Sequence, residues 1–302
     1  MTADRPYLGI LLMIGFCVVA PLGDGLAKLA GASIPLLMMV AVRFAFQAVI
    51  LLPLLAAKGR SLAMSRRVLR LTMIRTILHI AGIALMYASL YYLPLADAVA
   101  ICFVMPFIML LLGGLVLGEE VGPRRIAACA VGFVGTLMVI QPSFAQIGAA
   151  ALLPLAVAVA FSLYMLVSRQ VAKECDPMVL QTVSGLMGTP FLVAAVAATA
   201  ALPGPLFGLV MPSPAGWLLL GAIGVLGTAG HLLMTWSLRY APAATVAPVQ
   251  YLEIPVAALL GLILFAEFPD GLALAGIVVT IASGLYILHR ERSAARPIPS
   301  QA

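Results

Sequence analysis

The chain has 302 residues, 64% of them hydrophobic and 9% charged, with a formal net charge of +6. Soluble domains run at roughly 45–50% apolar and about 25% charged residues, so this composition and a mean hydropathy of +1.16 exclude a soluble enzyme. They also exclude a nucleic-acid-binding module, because the positive charge is scattered over short connections between apolar runs instead of gathered in a patch, and there it acts as a topology signal.

A hydrocarbon core about 30 Å thick needs about 20 apolar residues per helix. Ten such runs follow one another near 8–30, 34–56, 70–92, 95–117, 123–141, 148–170, 177–200, 215–238, 242–266 and 270–289. Span 1 outlasts the apolar core of a signal peptide, about 7–15 residues, and continues into Asp24 and Lys28, so it reads as a retained helix whose Asp24 and Lys28 form a local i, i+4 pair. Span 2 carries Arg43, at about 1.5 Å of rise per residue close to the membrane midplane. Span 3 starts beside Arg75, which reads as a snorkelling residue, and holds His79, Met86, Tyr87, Tyr91 and Tyr92. Span 4 contains Pro106, and span 6 contains Tyr164. Span 8 repeats glycine at 221, 224, 227 and 230, a small-residue stripe that lets helices approach, and then carries His231 and Trp236. Span 9 contains Gln250, Tyr251, Glu253 and Pro255. Pro106 and Pro255 remove backbone hydrogen bonds and read as kinks and hinges at related places. Cys17, Cys102, Cys129 and Cys175 form no CxxC, so neither a disulfide framework nor a zinc site is signalled.

Lys58, Arg60, Arg66, Arg67 and Arg70, then Arg124 and Arg125, Arg169 and Lys173, Arg239, and finally Arg290, Arg292 and Arg296 all fall on one side if ten spans are correct. The other side's connections hold Lys28 alone. Basic loops stay inside, so both termini are expected in the cytoplasm.

A shift of 148 positions tests for an internal repeat. It carries Leu85, Met86, Ser89, Leu90, Tyr92, Pro94 and Ala96 onto Leu233, Met234, Ser237, Leu238, Tyr240, Pro242 and Ala244, and Gly113 and Glu119 onto Gly261 and Glu267. Five spans per copy is an odd number, so the second copy enters the bilayer from the opposite face. The expected architecture is an all-α polytopic membrane protein of ten transmembrane helices in two inverted five-helix repeats, 1–146 and 147–291, with a cytoplasmic tail at 292–302.

The run from Tyr91 to Pro142, with Leu93-Pro94-Leu95-Ala96-Asp97-Ala98, Pro106, Gly118-Glu119-Glu120, Gly132 and Gly135, resembles the drug/metabolite transporter superfamily. Within it the chain resembles the ten-helix EamA type and is similar to YddG-type amino acid exporters. The resemblance implies export of small metabolites such as amino acids; the paired proline kinks suit alternating access through a central cavity, and the uncleaved spans, short loops and few added domains read as a bacterial inner membrane.

Charges inside a bilayer cost several kcal/mol and usually face a cavity or a partner. Arg43 suits a substrate carboxylate and Glu253 an ammonium; the alternative is a mutual ion pair that lets both helices insert. His79, Met86, Tyr87, Gln250, Tyr251 and Trp236 complete the candidate binding set, and His79, His231 and Glu253 are candidates for proton coupling. No Walker, HExxH or GxSxG pattern occurs, so ATP hydrolysis and the common intramembrane enzyme chemistries are disfavoured. No metal, cofactor, nucleic acid or obligatory protein partner is expected beyond the bilayer and a small, amino acid-like substrate. Efflux of cationic drugs is the second reading and phosphorylated-sugar exchange the third.

Overall fold

The structure is a computed structural model that describes residues 5–117, 123–202, 204–241 and 243–294. Among these residues there are helices and no strands: α1 Pro6–Ala30, α2 Leu36–Ala57, α3 Arg66–Leu90, α4 Leu95–Cys102, α5 Met105–Leu117, α6 Pro123–Ile147, α7 Leu153–Ala172, α8 Pro177–Ala198, α9 Pro214–Tyr240, α10 Ala243–Val246, α11 Glu253–Phe265 and α12 Gly271–Ala294. Seven helical stretches are long and apolar enough to cross a membrane, and shorter apolar stretches, Ala130–Ile140, Val249–Phe265 and Gly271–Ser283, fill expected spans 5, 9 and 10. Gly118-Glu119-Glu120, Pro242 and the tail beyond 294 lie outside the described residues.

Short polar residues start several spans. The Ser65, Asp176 and Ser213 side chains accept from the backbone N–H groups of Val68, Met178 and Gly216, so α3, α8 and α9 begin with a satisfied donor. Asp270 does the same for α12 through Ala273. Span α11 ends on Ala266, a non-glycine residue in the left-handed region at φ 54°, where Glu267 N–H returns to the Gly261 carbonyl.

Equivalent helices of the two repeats pack antiparallel. On α2 and α8 the residue pairs run in opposite senses: Arg60 meets Asp176 at one end, and Phe44 packs on Gly188 further along. On α6 and α12, Gly132 faces Ser283, Gly135 faces Thr280, and Val139 faces Gly276. Each of these pairs joins one helix to its own counterpart, and antiparallel counterparts are what an inverted repeat requires. Of the remaining large contacts, α1 lies along α9 and α3 along α7, and exchanging the repeats turns one pair into the other.

The prolines act differently from the expected kinks. Span 4 is interrupted at Phe103 and Val104 between α4 and α5, and span 9 at a 3₁₀ segment, Ala247–Leu252, before α11. Pro106 and Pro255 therefore sit in the first turns of new helices, where the missing N–H has no intrahelical partner to lose. The 148-residue shift carries Phe103 and Val104 onto Tyr251 and Leu252, so the two breaks are equivalent.

The two ends of the bundle are held by different contacts. On the basic face, Arg60 pairs with Asp176 and Arg67 with Glu174. There too, Arg169 donates to the Leu238 carbonyl at 2.6 Å and Arg239 to that of Cys175 at 3.1 Å. On the charge-poor face Lys28 pairs with Glu267 at 2.6 Å and donates to the Leu93 carbonyl at 3.1 Å. The expected Asp24–Lys28 pair is thereby corrected: the part-buried ammonium takes a carboxylate from the α11–α12 connection and a carbonyl from the α3–α4 connection in preference to a neighbour one turn back.

Candidate functional site

The two broken spans meet α1, α2, α3, α7 and α9 around a partly open cavity. Its residues come from the charge-poor halves of most of these helices, Phe16 to Asp24 on α1, Ile83 and Met86 on α3, Val157 to Phe161 on α7. The helix breaks matter here because they bring Cys102, Phe103 and Met105 to one side and their repeat counterparts Gln250 and Glu253 to the other. One copy presents soft apolar groups and the other polar ones.

Arg43 is placed by α2 and held in the cavity wall by two features. Its Nη1 donates to the Tyr87 hydroxyl at 2.8 Å, and its guanidinium fills the space over Gly227, where a Cβ would lie 2.6 Å from Cζ. Gly224, one turn away, gives Phe46 the same kind of seat. Gly221, Gly224 and Gly227 of the α9 stripe thus face α2 side chains, and Gly230 faces Val19 and Phe16 of α1.

Glu253 opens α11 and lines the cavity, and its Oε1 has no hydrogen-bond partner. Gln250, 1% exposed, also leaves its Oε1 unpartnered, while its amide nitrogen meets only the Met165 sulfur, at 3.7 Å. Asp24 is the third acceptor group in the cavity wall. Neither carboxylate is in ion-pair contact with Arg43. The alternative of an Arg43–Glu253 ion pair is therefore not what this conformation contains.

The floor is aromatic. His231 lines the cavity with Phe161, whose ring stacks on it at 6.0 Å and 12°. His79 lies behind, its ring centroid 4.0 Å from that of His231 and 4.9 Å from those of Phe44 and Tyr164, with both ring nitrogens unpartnered. Below it Arg75 is fully buried, which corrects the snorkelling assignment. Its Nε donates to Ser168 and Nη1 to Ser184; Nη2 reaches Tyr164, Gln181 and Thr235. Five neutral acceptors on α7, α8 and α9 replace the water that a snorkelling arginine would seek, and the network ties these helices to α3 between the cavity and the basic face.

Of the candidate binding residues, Arg43, Met86, Gln250 and Glu253 line the cavity. Tyr87 reaches it through Arg43, Tyr251 packs behind it on the Phe103 ring at 5.1 Å, and His79 stands behind His231. Trp236 is not among the lining residues; Met234, two positions earlier on α9, is. Asp24, Phe16 and Phe161 are lining residues that the sequence did not single out as such. A signal existed only for Asp24, as an intramembrane carboxylate, and it was spent on Lys28. Among the described residues no group of His, Cys, Asp and Glu side chains is placed to hold a metal ion.

Known proteins agree with this architecture. The profile of the EamA-like transporter family matches residues 7–141 and again 148–288. An S-adenosylmethionine uptake transporter of Rickettsia prowazekii is 25% identical over 96% of this chain and 96% of its own length. A riboflavin transporter of Rhizobium johnstonii is 29% identical over 72% of this chain and 69% of its own. The pseudopaline exporter CntI of Pseudomonas aeruginosa is 27% identical over 97% of this chain and 100% of its own. A crystal structure with 18% identity superimposes over 97% of this chain and 100% of the other with a TM-score of 0.70, which speaks for the fold alone. With the family profile matching both halves, the chain is a membrane transporter that belongs to the EamA-like transporter family.

Proposed function

We propose that this transporter carries small amino acid-like metabolites through the cavity between its repeats, with the substrate carboxylate on Arg43 and its ammonium on Glu253. One observation carries the reading: a guanidinium and a carboxylate face the same cavity and are not paired with each other. A zwitterion would satisfy both, and desolvating it is repaid only where both of its charges meet a partner. The side chain would lie among Met86, Phe103, Phe161 and Met234, soft and aromatic groups that adapt to several shapes. The named substrate of one relative, S-adenosylmethionine, carries an α-amino acid head, which fits the same clamp.

The basic loops support a bacterial inner-membrane protein with both termini in the cytoplasm, built from repeat units 1–146 and 147–291 that rock about the breaks beside Pro106 and Pro255. In that orientation the Arg75 network lies on the cytoplasmic side of the cavity and is assigned the role of the inner gate. Glu253 is assigned the proton-coupling role ahead of His79 and His231, because a cavity carboxylate that holds either a proton or the substrate ammonium links the two fluxes. Export is the direction that the sequence resemblance implies. Efflux of a lipophilic cation is a second reading, favoured by the additional carboxylate Asp24 beside aromatic faces.

Counterflow in proteoliposomes tests the assignment. Vesicles preloaded with unlabelled amino acids are expected to accumulate a labelled amino acid well above empty vesicles. Equal uptake by loaded and empty vesicles, with lipophilic cations exchanging instead, would give the second reading first place.

A further inference from the structure

The cavity wall carries more negative than positive charge. Its charged lining groups are Asp24, Glu253 and Arg43, and the neighbouring titratable groups are His231 on the floor and Cys102. The cation one turn from Asp24 on α1 is committed elsewhere, the Lys28 ammonium to Glu267 and the Leu93 carbonyl. Arg43 itself spends one donor on Tyr87. The unpartnered oxygens in the wall, Glu253 Oε1 and that of the almost fully buried Gln250, add acceptors and no donors. A simple zwitterion would occupy Arg43 and one carboxylate and leave the second carboxylate desolvated without a counter-charge, which is costly in a low-dielectric site.

The geometry points to a substrate with one carboxylate and two positive centres, an α-amino acid whose side chain bears a further cation such as a sulfonium or ammonium. This inference rests on the amino acid reading above and narrows it. The carboxylate takes Arg43, the α-ammonium and the side-chain cation take Glu253 and Asp24, and the cation's alkyl or aromatic substituents lie against Phe103 and Phe161. Cations also gain from aromatic faces in such a setting. Net charge in the loaded cavity then falls to zero.

The test compares two competitors that differ by one methyl group and one charge, methionine and S-methylmethionine, against counterflow of a labelled amino acid by the wild-type protein. S-methylmethionine is expected to compete about tenfold better, equivalent to about 1.4 kcal/mol of binding, and Asp24→Asn is expected to reduce that advantage to about twofold or less. Methionine competing as well as or better than its sulfonium, while counterflow itself works, overturns the inference and leaves the amino acid reading standing. An unchanged preference in a folded Asp24→Asn protein also overturns it. Absence of counterflow with every amino acid by well-inserted protein removes both.

Discussion

At the scale of single residues, the proposed clamp depends on how Arg43 is seated. A methyl group at residue 227 would stand 2.6 Å from the guanidinium carbon, so Gly227→Ala is expected to push Arg43 off its position and raise the KM for substrate about tenfold or more while leaving the amount of inserted protein near wild type, since roughly 1–3 kcal/mol of overpacking falls on a mobile side chain. An unchanged KM would show that the seat is irrelevant. Tyr87→Phe removes one neutral hydroxyl partner of a charged group, worth about 1.5–3 kcal/mol where it is buried, and should weaken binding in the same direction. Arg75 belongs to stability: Arg75→Met removes five hydrogen bonds across four helices but lets the hydroxyls re-pair, so a net loss of about 2–4 kcal/mol in denaturation of the purified protein is expected. Arg43, Glu253, Gln250 and Met86 were legible in the sequence because polar or soft residues at midplane depth stand out in apolar helices. Asp24 and Arg75 were misread for one shared reason. Sequence shows the neighbour one turn away, whereas Lys28 finds its partner 239 positions later and Arg75 its partners up to 160 positions later.

At the scale of elements, the spans and their polar starts follow from apolar length and from Ser65, Asp176, Ser213 and Asp270. The two breaks did not follow, because a proline marks either an interior kink or a first turn, and only packing decides which. The close approach of α6 and α12 makes a sharp prediction. A Cβ at residue 276 would sit 2.5 Å from the Gly135 carbonyl oxygen and 2.9 Å from Met138 Cβ, backbone and near-backbone atoms that cannot turn aside. Gly276→Ala should lower thermal stability by about 1–3 kcal/mol, read as a drop in melting temperature in detergent. The opposite sign is expected at Ala266, whose φ of 54° suits glycine: Ala266→Gly should stabilise by up to about 1 kcal/mol, because it removes the strain of a left-handed L-residue at a helix end.

At the scale of the whole molecule, inversion of the repeats was legible from the odd span count and from the register of Tyr, Pro and Gly between copies. The division of labour between the two ends was not, because it arises from contacts between helices of different repeats. The Arg75 network and the Arg67–Glu174 and Arg60–Asp176 pairs join the two repeats toward the basic face, while most cavity residues belong to the charge-poor half. Alternating access requires these contacts to part. Cysteines placed at 67 and 174 in a protein lacking its native cysteines, then bridged by a short bifunctional thiol reagent, should stop turnover while substrate binding from the charge-poor side persists. Continued exchange after complete bridging would place the moving parts elsewhere.

The most direct test of the central claim is counterflow of a labelled amino acid by Arg43→Gln and Glu253→Gln proteins, matched for insertion, beside Arg66→Gln, an exposed residue of the basic surface, as a control. Transport is expected to fall about tenfold or more in each clamp variant, in line with about 1.4 kcal/mol or more lost per charge, and to persist in the control. Wild-type rates in both clamp variants would contradict the account and move the binding site away from this cavity.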